Sequence, residues 1–235
     1  MGCVKVFTYD PLSIYTITSI ISADRLASYN ALAEPANDKR AAVELYVWNA
    51  ALSGSLFGPL QAAEIGIRNA IHREMTSIYG TAAWYSQPHF KRSAPSMIGS
   101  LVEAAGRLVN EKKLVDPPHV VAALHFGFWT KLLERGPDGN YIRHFWNAGL
   151  SEAFRHYPGG AQSHRGPINS EILALKDFRN RIAHHEPIHN KKPDRQYERI
   201  VRVAGWIDPT LASWIELHSR CNSLFEGKPK STPGF

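Results

Sequence analysis

The chain has 235 residues, 44% of them hydrophobic and 20% charged, which is typical of a globular protein and excludes wholesale disorder, collagen and coiled coil. Its 27 Lys and Arg against 21 Asp and Glu give a net charge of +6, which permits nucleic acid as a partner without demanding it. Two cysteines, Cys3 and Cys221, are too few for a disulfide scaffold, and no apolar stretch reaches the roughly 20 residues of a membrane span, so we expect a cytoplasmic protein.

Apolar residues recur at helical spacing along most of the chain, and the alternation of strands is nearly absent. We therefore predict an all-α fold. The first predicted helix covers about residues 22–32, and a second begins near Asn37 and is expected to break at Gly58-Pro59. An apolar stripe over residues 60–78 predicts the next helix, which ends at Gly80.

The second half of the chain also has the pattern of helices, which we predict over residues 98–109, 120–133, 141–154, 170–182, 194–206 and 211–225. Ser170 and Asp208 are the expected N-caps of two of them. The aromatic residues in the middle of the chain are interpreted as core: Phe126, Phe128, Trp129, Phe145 and Trp146. Without repeats or long linkers, we predict an N-terminal segment over 1–20, one helical domain over 21–226 and a disordered tail over 227–235.

Residues 177–202 concentrate the reactive groups of the chain. They hold seven basic and four acidic residues, a net charge of +3, together with three histidines. Arg179, Asn180 and His184 stand here in the pattern R-N-x-x-x-H. An arginine that forks onto a phosphate, beside an imidazole that titrates near neutral pH, is a minimal set for cleaving a phosphodiester.

This pattern resembles the R-x(4–6)-H motif of HEPN ribonucleases. Four blocks in order are similar to the Abi-like (abortive infection, AbiD/AbiF-type) branch of that superfamily, over about residues 20–225: LYVWNAAL at 45–52, AAEIGIRNAI at 62–71, LHFGFWTKLL at 124–133 and FRNRIAHHEPI at 178–188. The resemblance implies a HEPN-like helical bundle with an N-terminal helical extension, a homodimer, and RNA cleavage by 2′-hydroxyl attack without a metal or other cofactor. It also implies a phage-defence or toxin-like effector, with an antitoxin or a regulatory RNA as a further partner.

Helix geometry favours a homodimer independently. Residues five apart in an ideal helix lie about 140° apart around the axis, so Arg179 and His184 of one chain cannot easily hold the same phosphate. Two copies that meet across a two-fold axis bring the Arg of one chain beside the His of the other. We assign proton transfer to His184, phosphate binding to Arg179 and positioning to Asn180.

Several neighbouring residues are candidate RNA-binding or supporting groups: Glu64, Arg68, Asn69, Arg181, His185, Lys191 and Lys192. Glu64 and Arg68 stand at i, i+4 and are interpreted as an ion pair that orients their helix against the motif helix, or, with Asn69, as part of the RNA site. Asn49 is either a buried polar tie or an amide that lines the site.

Three alternatives remain open at this point. Arg179 and His184 have a purely structural interpretation, as groups that bind the end of a helix. A catalytically silent HEPN module that binds RNA or a partner protein has the same sequence features. Finally, the segment from His185 to His189 matches the HExxH motif of zinc peptidases, although Pro187 disfavours the continuous helix on which that motif depends.

Overall fold

The computed structural model describes residues 8–225, so Cys3 and the predicted tail over 227–235 lie outside the described residues. Every regular element within 8–225 is helical and no strand occurs there, which confirms the all-α class. None of the helices in this range is long and apolar enough to pass through a lipid bilayer.

The α-helices of the described chain are, in order, α1 (Pro11–Ile21), α2 (Ala23–Asn30), α3 (Lys39–Tyr79), α4 (Pro88–Ser93), α5 (Ile98–Asn110), α6 (Pro117–Ala123), α7 (Phe126–Lys131), α8 (Arg165–Ala183), α9 (Pro193–Ile207), α10 (Pro209–His218) and α11 (Asn222–Phe225). Short 3-10 segments lie at Trp84–Ser86, Pro95–Met97, Pro137–Gly139, Leu150–Phe154 and Gln162–His164, and a π-helical turn at Ile142–Trp146.

The described chain divides into two compact units. The first unit consists of residues 8–57, 181–194 and 220–225, and the second unit of Gly58–Asn180 and Arg195–Ser219. Helices α3, α8 and α9 contribute residues to both. The prediction of one HEPN-like domain over 21–226 stays a prediction.

In the first unit, two short helices precede α3. Asp10 caps α1 by accepting hydrogen bonds from the N–H groups of Leu12 and Ser13, both at 3.0 Å, and Pro11 fills the first turn. We predict no helix over residues 1–20, although the pair Asp10-Pro11 is a helix-start signal. Ser22 caps α2 through Arg25 N–H, close to where the predicted helix begins.

The second unit has an aromatic core. Trp84 and Phe90 are fully buried, with ring centroids 5.0 Å apart, and Phe90 stacks on Phe145 at 5.7 Å. The five aromatic residues that the sequence analysis assigns to the core are all at most 4% exposed, which confirms that interpretation. The apolar stripe of α3 from Leu60 to Met75 is buried in the same unit.

The predicted break at Gly58-Pro59 is wrong, because α3 continues through Pro59 to Tyr79. Proline at position 59 has no N–H to donate to the carbonyl of Ser55, four residues earlier. That carbonyl instead accepts a hydrogen bond from the thiol of Cys221, with Sγ at 3.3 Å from the oxygen. A residue distant in sequence thus satisfies the group that the proline leaves open.

Other boundaries also differ from prediction, and the helix predicted over 211–225 is divided into α10 and α11. The helix predicted over 120–133 is two helices, α6 and α7. His125 lies between them in an extended conformation, and its side chain caps α7 by accepting a hydrogen bond from Phe128 N–H. Gly149, at φ 134°, interrupts the helix predicted over 141–154. Helix α8 begins at Arg165, so Ser170 lies inside it rather than at its N-cap.

Candidate functional site

The histidines of the motif lie in the turn that ends α8. In this turn Ile182 O accepts the N–H of His185 at 3.0 Å, and Arg181 O accepts the N–H of Glu186 at 2.8 Å. This pair of bonds is the Schellman motif, whose αL position is here occupied by His185 at φ 56°. His184 directly follows the helix, and both imidazoles are exposed.

Two distant groups in the first unit fix the backbone after this turn. Arg25 of α2 donates from Nη1 to the carbonyl of His185 at 2.6 Å. Asn49 of α3 accepts the N–H groups of Ile188 at 2.9 Å and His189 at 3.1 Å on its single Oδ1. Asn49 therefore is the buried tie that the sequence suggests as one alternative. Sequence reasoning missed Arg25, since no local pattern links it to a residue 160 positions later.

The HExxH interpretation fails on geometry. Residues 186–188 are not helical, so the two histidines do not stand at i, i+4 on one helix face as that motif requires. Within residues 8–225 no cluster of three or more His, Cys, Asp or Glu side chains is arranged to hold a metal ion.

Arg181 is engaged locally rather than left open to solvent. Its Nη1 lies 3.0 Å from Glu186 Oε2, and its Nη2 donates to the Pro187 carbonyl at 3.4 Å. These two contacts place Arg181 against the residues that follow the motif turn, which fits its candidate supporting role, and RNA contact by Arg181 stays a prediction. Lys191 and Lys192, which follow this turn, are exposed.

A groove of about 510 Å³ opens beside this turn in the first unit. One wall of the groove is formed by residues of α3 that lie about one helical turn apart: Tyr46, Asn49, Ala50, Ser53, Gly54 and Phe57. The other wall is formed by the end of α8 and the turn that follows it: Ile182, Ala183 and His185. None of these residues is acidic. The Phe57 side chain is 49% exposed.

The second unit holds Arg179 in a fixed orientation. Its Nε lies 3.1 Å from Glu64 Oε2, and its Nη1 donates to Asn180 Oδ1 at 3.4 Å. Glu64 therefore pairs with Arg179 and not with Arg68, which corrects the predicted i, i+4 pair. Arg68 donates instead to Asn69 Oδ1 at 3.2 Å. Glu64 still ties α3 to α8, as the sequence analysis expects, through a different arginine.

Ion pairs offset much of the positive charge that the sequence places around the motif. Arg199 and Arg202 share the carboxylate of Glu171, just as Arg179 and Arg181 each have a carboxylate partner. Burial acts to raise the pKa of Glu171, but the hydrogen bonds from Arg202 and Arg199 outweigh it and lower that pKa overall. Four of the seven basic residues over 177–202 therefore have a carboxylate partner.

Comparisons of the chain with protein-family models, with curated proteins and with solved structures found no match.

Proposed function

We propose that the chain is a metal-independent endoribonuclease of the HEPN type, and that it acts as the effector of a phage-defence or toxin-like system. The observation that carries the proposal is the presentation of His184. Its imidazole is exposed on a turn whose backbone is tied by the Schellman bonds, by Arg25 and by Asn49. A fixed backbone beneath an accessible imidazole is what positioned proton transfer requires.

In the proposed reaction, the 2′-hydroxyl of the RNA attacks the adjacent phosphorus, and the bond from phosphorus to the 5′-oxygen breaks. His184 exchanges the proton of the 2′-hydroxyl or of the leaving 5′-oxygen. The products are a 2′,3′-cyclic phosphate and a 5′-hydroxyl. The chain acts as a homodimer, in which the Arg179 of one copy serves beside the His184 of the other.

Arg179 is the proposed phosphate ligand, with Glu64 as its positioning residue. Glu64 binds the Nε edge of the guanidinium, and among described residues Nη2 of Arg179 donates to no group. The Nη edge is therefore available for the charge-assisted hydrogen bonds that a phosphate accepts. Asn180, bound to Nη1, completes the support of this side chain.

Cleavage of labelled single-stranded RNA in EDTA tests the proposal. General acid-base catalysis contributes about 10²–10⁴-fold, so we expect His184→Ala to lose at least about 10²-fold in rate. Arg179→Ala is expected to be similarly impaired, while the exposed controls His156→Ala and Arg92→Ala retain the wild-type rate. Wild-type cleavage by His184→Ala, or products without cyclic phosphate ends, contradicts the proposal.

One observation favours a second candidate, a silent HEPN module that binds RNA or a protein. The carboxylate of Glu64 already neutralises Arg179, and it would compete with a phosphate for that guanidinium. RNA binding without cleavage by the wild-type chain would identify this module. Glu64→Gln distinguishes the two functions further, because in the enzyme it should lower the cleavage rate constant by disturbing the position of Arg179.

A further inference from the structure

The groove beside the motif is lined by Asn49, a largely buried amide whose N–H groups are not used by the described residues. Asn49 is only 6% exposed, and its Oδ1 accepts hydrogen bonds from the backbone N–H groups of Ile188 and His189. Among described residues its Nδ2 donates to no group, yet that nitrogen is not sealed from solvent. The N–H pair of Asn49 is therefore available to donate hydrogen bonds to a ligand that enters the groove.

The rest of the lining indicates what that ligand is. The rings of Tyr46 and Phe57 flank the groove on the α3 side, and His185 closes it at the end of the motif turn. No lining residue is acidic, so the groove does not repel the phosphates of a nucleic acid, and the Asn49 donor suits a ligand with hydrogen-bond acceptors. A volume of about 510 Å³ admits one nucleotide but no folded domain.

We propose that this groove binds one unpaired nucleobase of the RNA substrate, next to the scissile phosphate. Asn49 Nδ2 donates to an acceptor on the base edge, and the exposed ring of Phe57 stacks on the base face. Asn49 thereby is a specificity-determining residue as well as a structural tie. The inference rests on the proposed function, because it identifies single-stranded RNA as the substrate class of that site.

The binding experiment uses fluorescein-labelled single-stranded 2′-O-methyl RNA of about 12 nucleotides, within the range of single-strand binding sites, which the enzyme cannot cleave. Asn49→Asp keeps the accepting oxygen and removes the N–H donors. Gly54→Leu fills the groove, since a side chain at Gly54 meets nothing within 4 Å. Its matched control is Gly106→Leu on α5 of the second unit, where a side chain also meets open space.

We expect Gly54→Leu and Asn49→Asp to weaken RNA binding about tenfold, and Phe57→Ala by a similar factor, as loss of one stacked base does. Gly106→Leu should bind as the wild type does. Circular dichroism checks that each variant is folded, and Gly54→Leu remains the decisive variant because leucine favours the helix.

The outcomes separate this inference from the proposed function. If the wild type cleaves and binds RNA while Gly54→Leu binds equally well, the groove assignment is overturned and the ribonuclease stands. If the wild type binds RNA through the groove but does not cleave, the ribonuclease fails and the groove assignment stands. A wild type that neither binds nor cleaves RNA overturns both.

Discussion

The imidazole of His72, on α3 in the second unit, is held in its neutral form. Its Nδ1 accepts a hydrogen bond from Nε1 of the buried Trp84 at 2.9 Å, so the ring proton resides on Nε2. Burial, and to a smaller extent the charge of Arg68, lower the pKa of His72 below its ordinary value of 6.5. Protonation at Nδ1 would remove the acceptor that Trp84 uses.

Because the pKa of His72 is lower in the folded chain, the unfolded chain binds more protons near pH 6. The stabilisation that the neutral His72 contributes is therefore fully present above the pKa of this histidine in the unfolded chain. It is lost as the pH falls through the lower pKa of His72 in the folded chain. We expect urea denaturation to show lower stability at about pH 5.5 than at about pH 7.5.

His72→Asn is the matched control, since its oxygen can accept from Trp84 but does not titrate. The stability of this variant should change less between the two pH values. An equal pH dependence in both proteins would show that other groups are responsible.

His185 occupies a backbone conformation that glycine adopts at much lower cost. At φ 56° an L-residue is disfavoured by about 1–2 kcal/mol relative to the right-handed region. Such outliers cluster at functional sites, where the side chain is retained despite the strain. The position of His185 on the proposed base-binding groove gives a reason for histidine here.

At the scale of elements, α3 continues through Pro59, and Cys221 binds the carbonyl that the proline leaves without an N–H donor. The thiol binds the Ser55 carbonyl that an N–H at position 59 would otherwise bind. Pro59→Ala restores that N–H, so the cost of Cys221→Ala should be smaller in the Pro59→Ala background than in the wild type. We expect a coupling energy of about 0.5–1 kcal/mol, the size of one hydrogen bond.

A double-mutant cycle measured by urea denaturation yields this coupling. The cavity left by Cys221→Ala is the same in both backgrounds and cancels. Cys221→Ser, which keeps a donor, should show little coupling with Pro59→Ala. Strictly additive effects of Pro59→Ala and Cys221→Ala would contradict the compensation.

Local sequence signals predict those parts of the elements that depend on neighbouring residues. Helix periodicity and the Asp208 cap are local, and the apolar stripe and the cap appear in the structure as predicted. The donor that replaces the missing N–H of Pro59 is Cys221, which lies 162 positions later and leaves no periodic signal. The His125 cap that separates α6 from α7 is also invisible, because histidine is not a preferred N-cap residue.

At the scale of the whole molecule, the same limit applies to the candidate site. The motif residues and the candidate role of Asn49 follow from the sequence, whereas the partners of Arg179 and His185 do not. Glu64 stands 115 positions before Arg179, and its spacing to Arg68 favours the wrong partner. Charge counting alone likewise cannot show that Glu171 neutralises Arg199 and Arg202.

The net charge of +6 therefore matters through its placement rather than its total. Each phosphate contact to single-stranded RNA contributes about 0.7 to the slope of log affinity against log salt concentration. Lys191→Gln/Lys192→Gln, beside the motif turn, should reduce that slope by about 1.4 if both lysines contact phosphates. Binding of the labelled 2′-O-methyl RNA, titrated at several KCl concentrations, measures it.

The matched control is Lys91→Gln/Arg92→Gln on α4, which removes the same charge from two exposed neighbouring positions. Because these side chains belong to neither the motif turn nor the groove, the slope should stay at the wild-type value. Equal slopes for the two double variants would mean that total charge drives RNA binding. In that case Lys191 and Lys192 would lose their assignment as RNA ligands, while the roles of Arg179 and His184 would be unaffected.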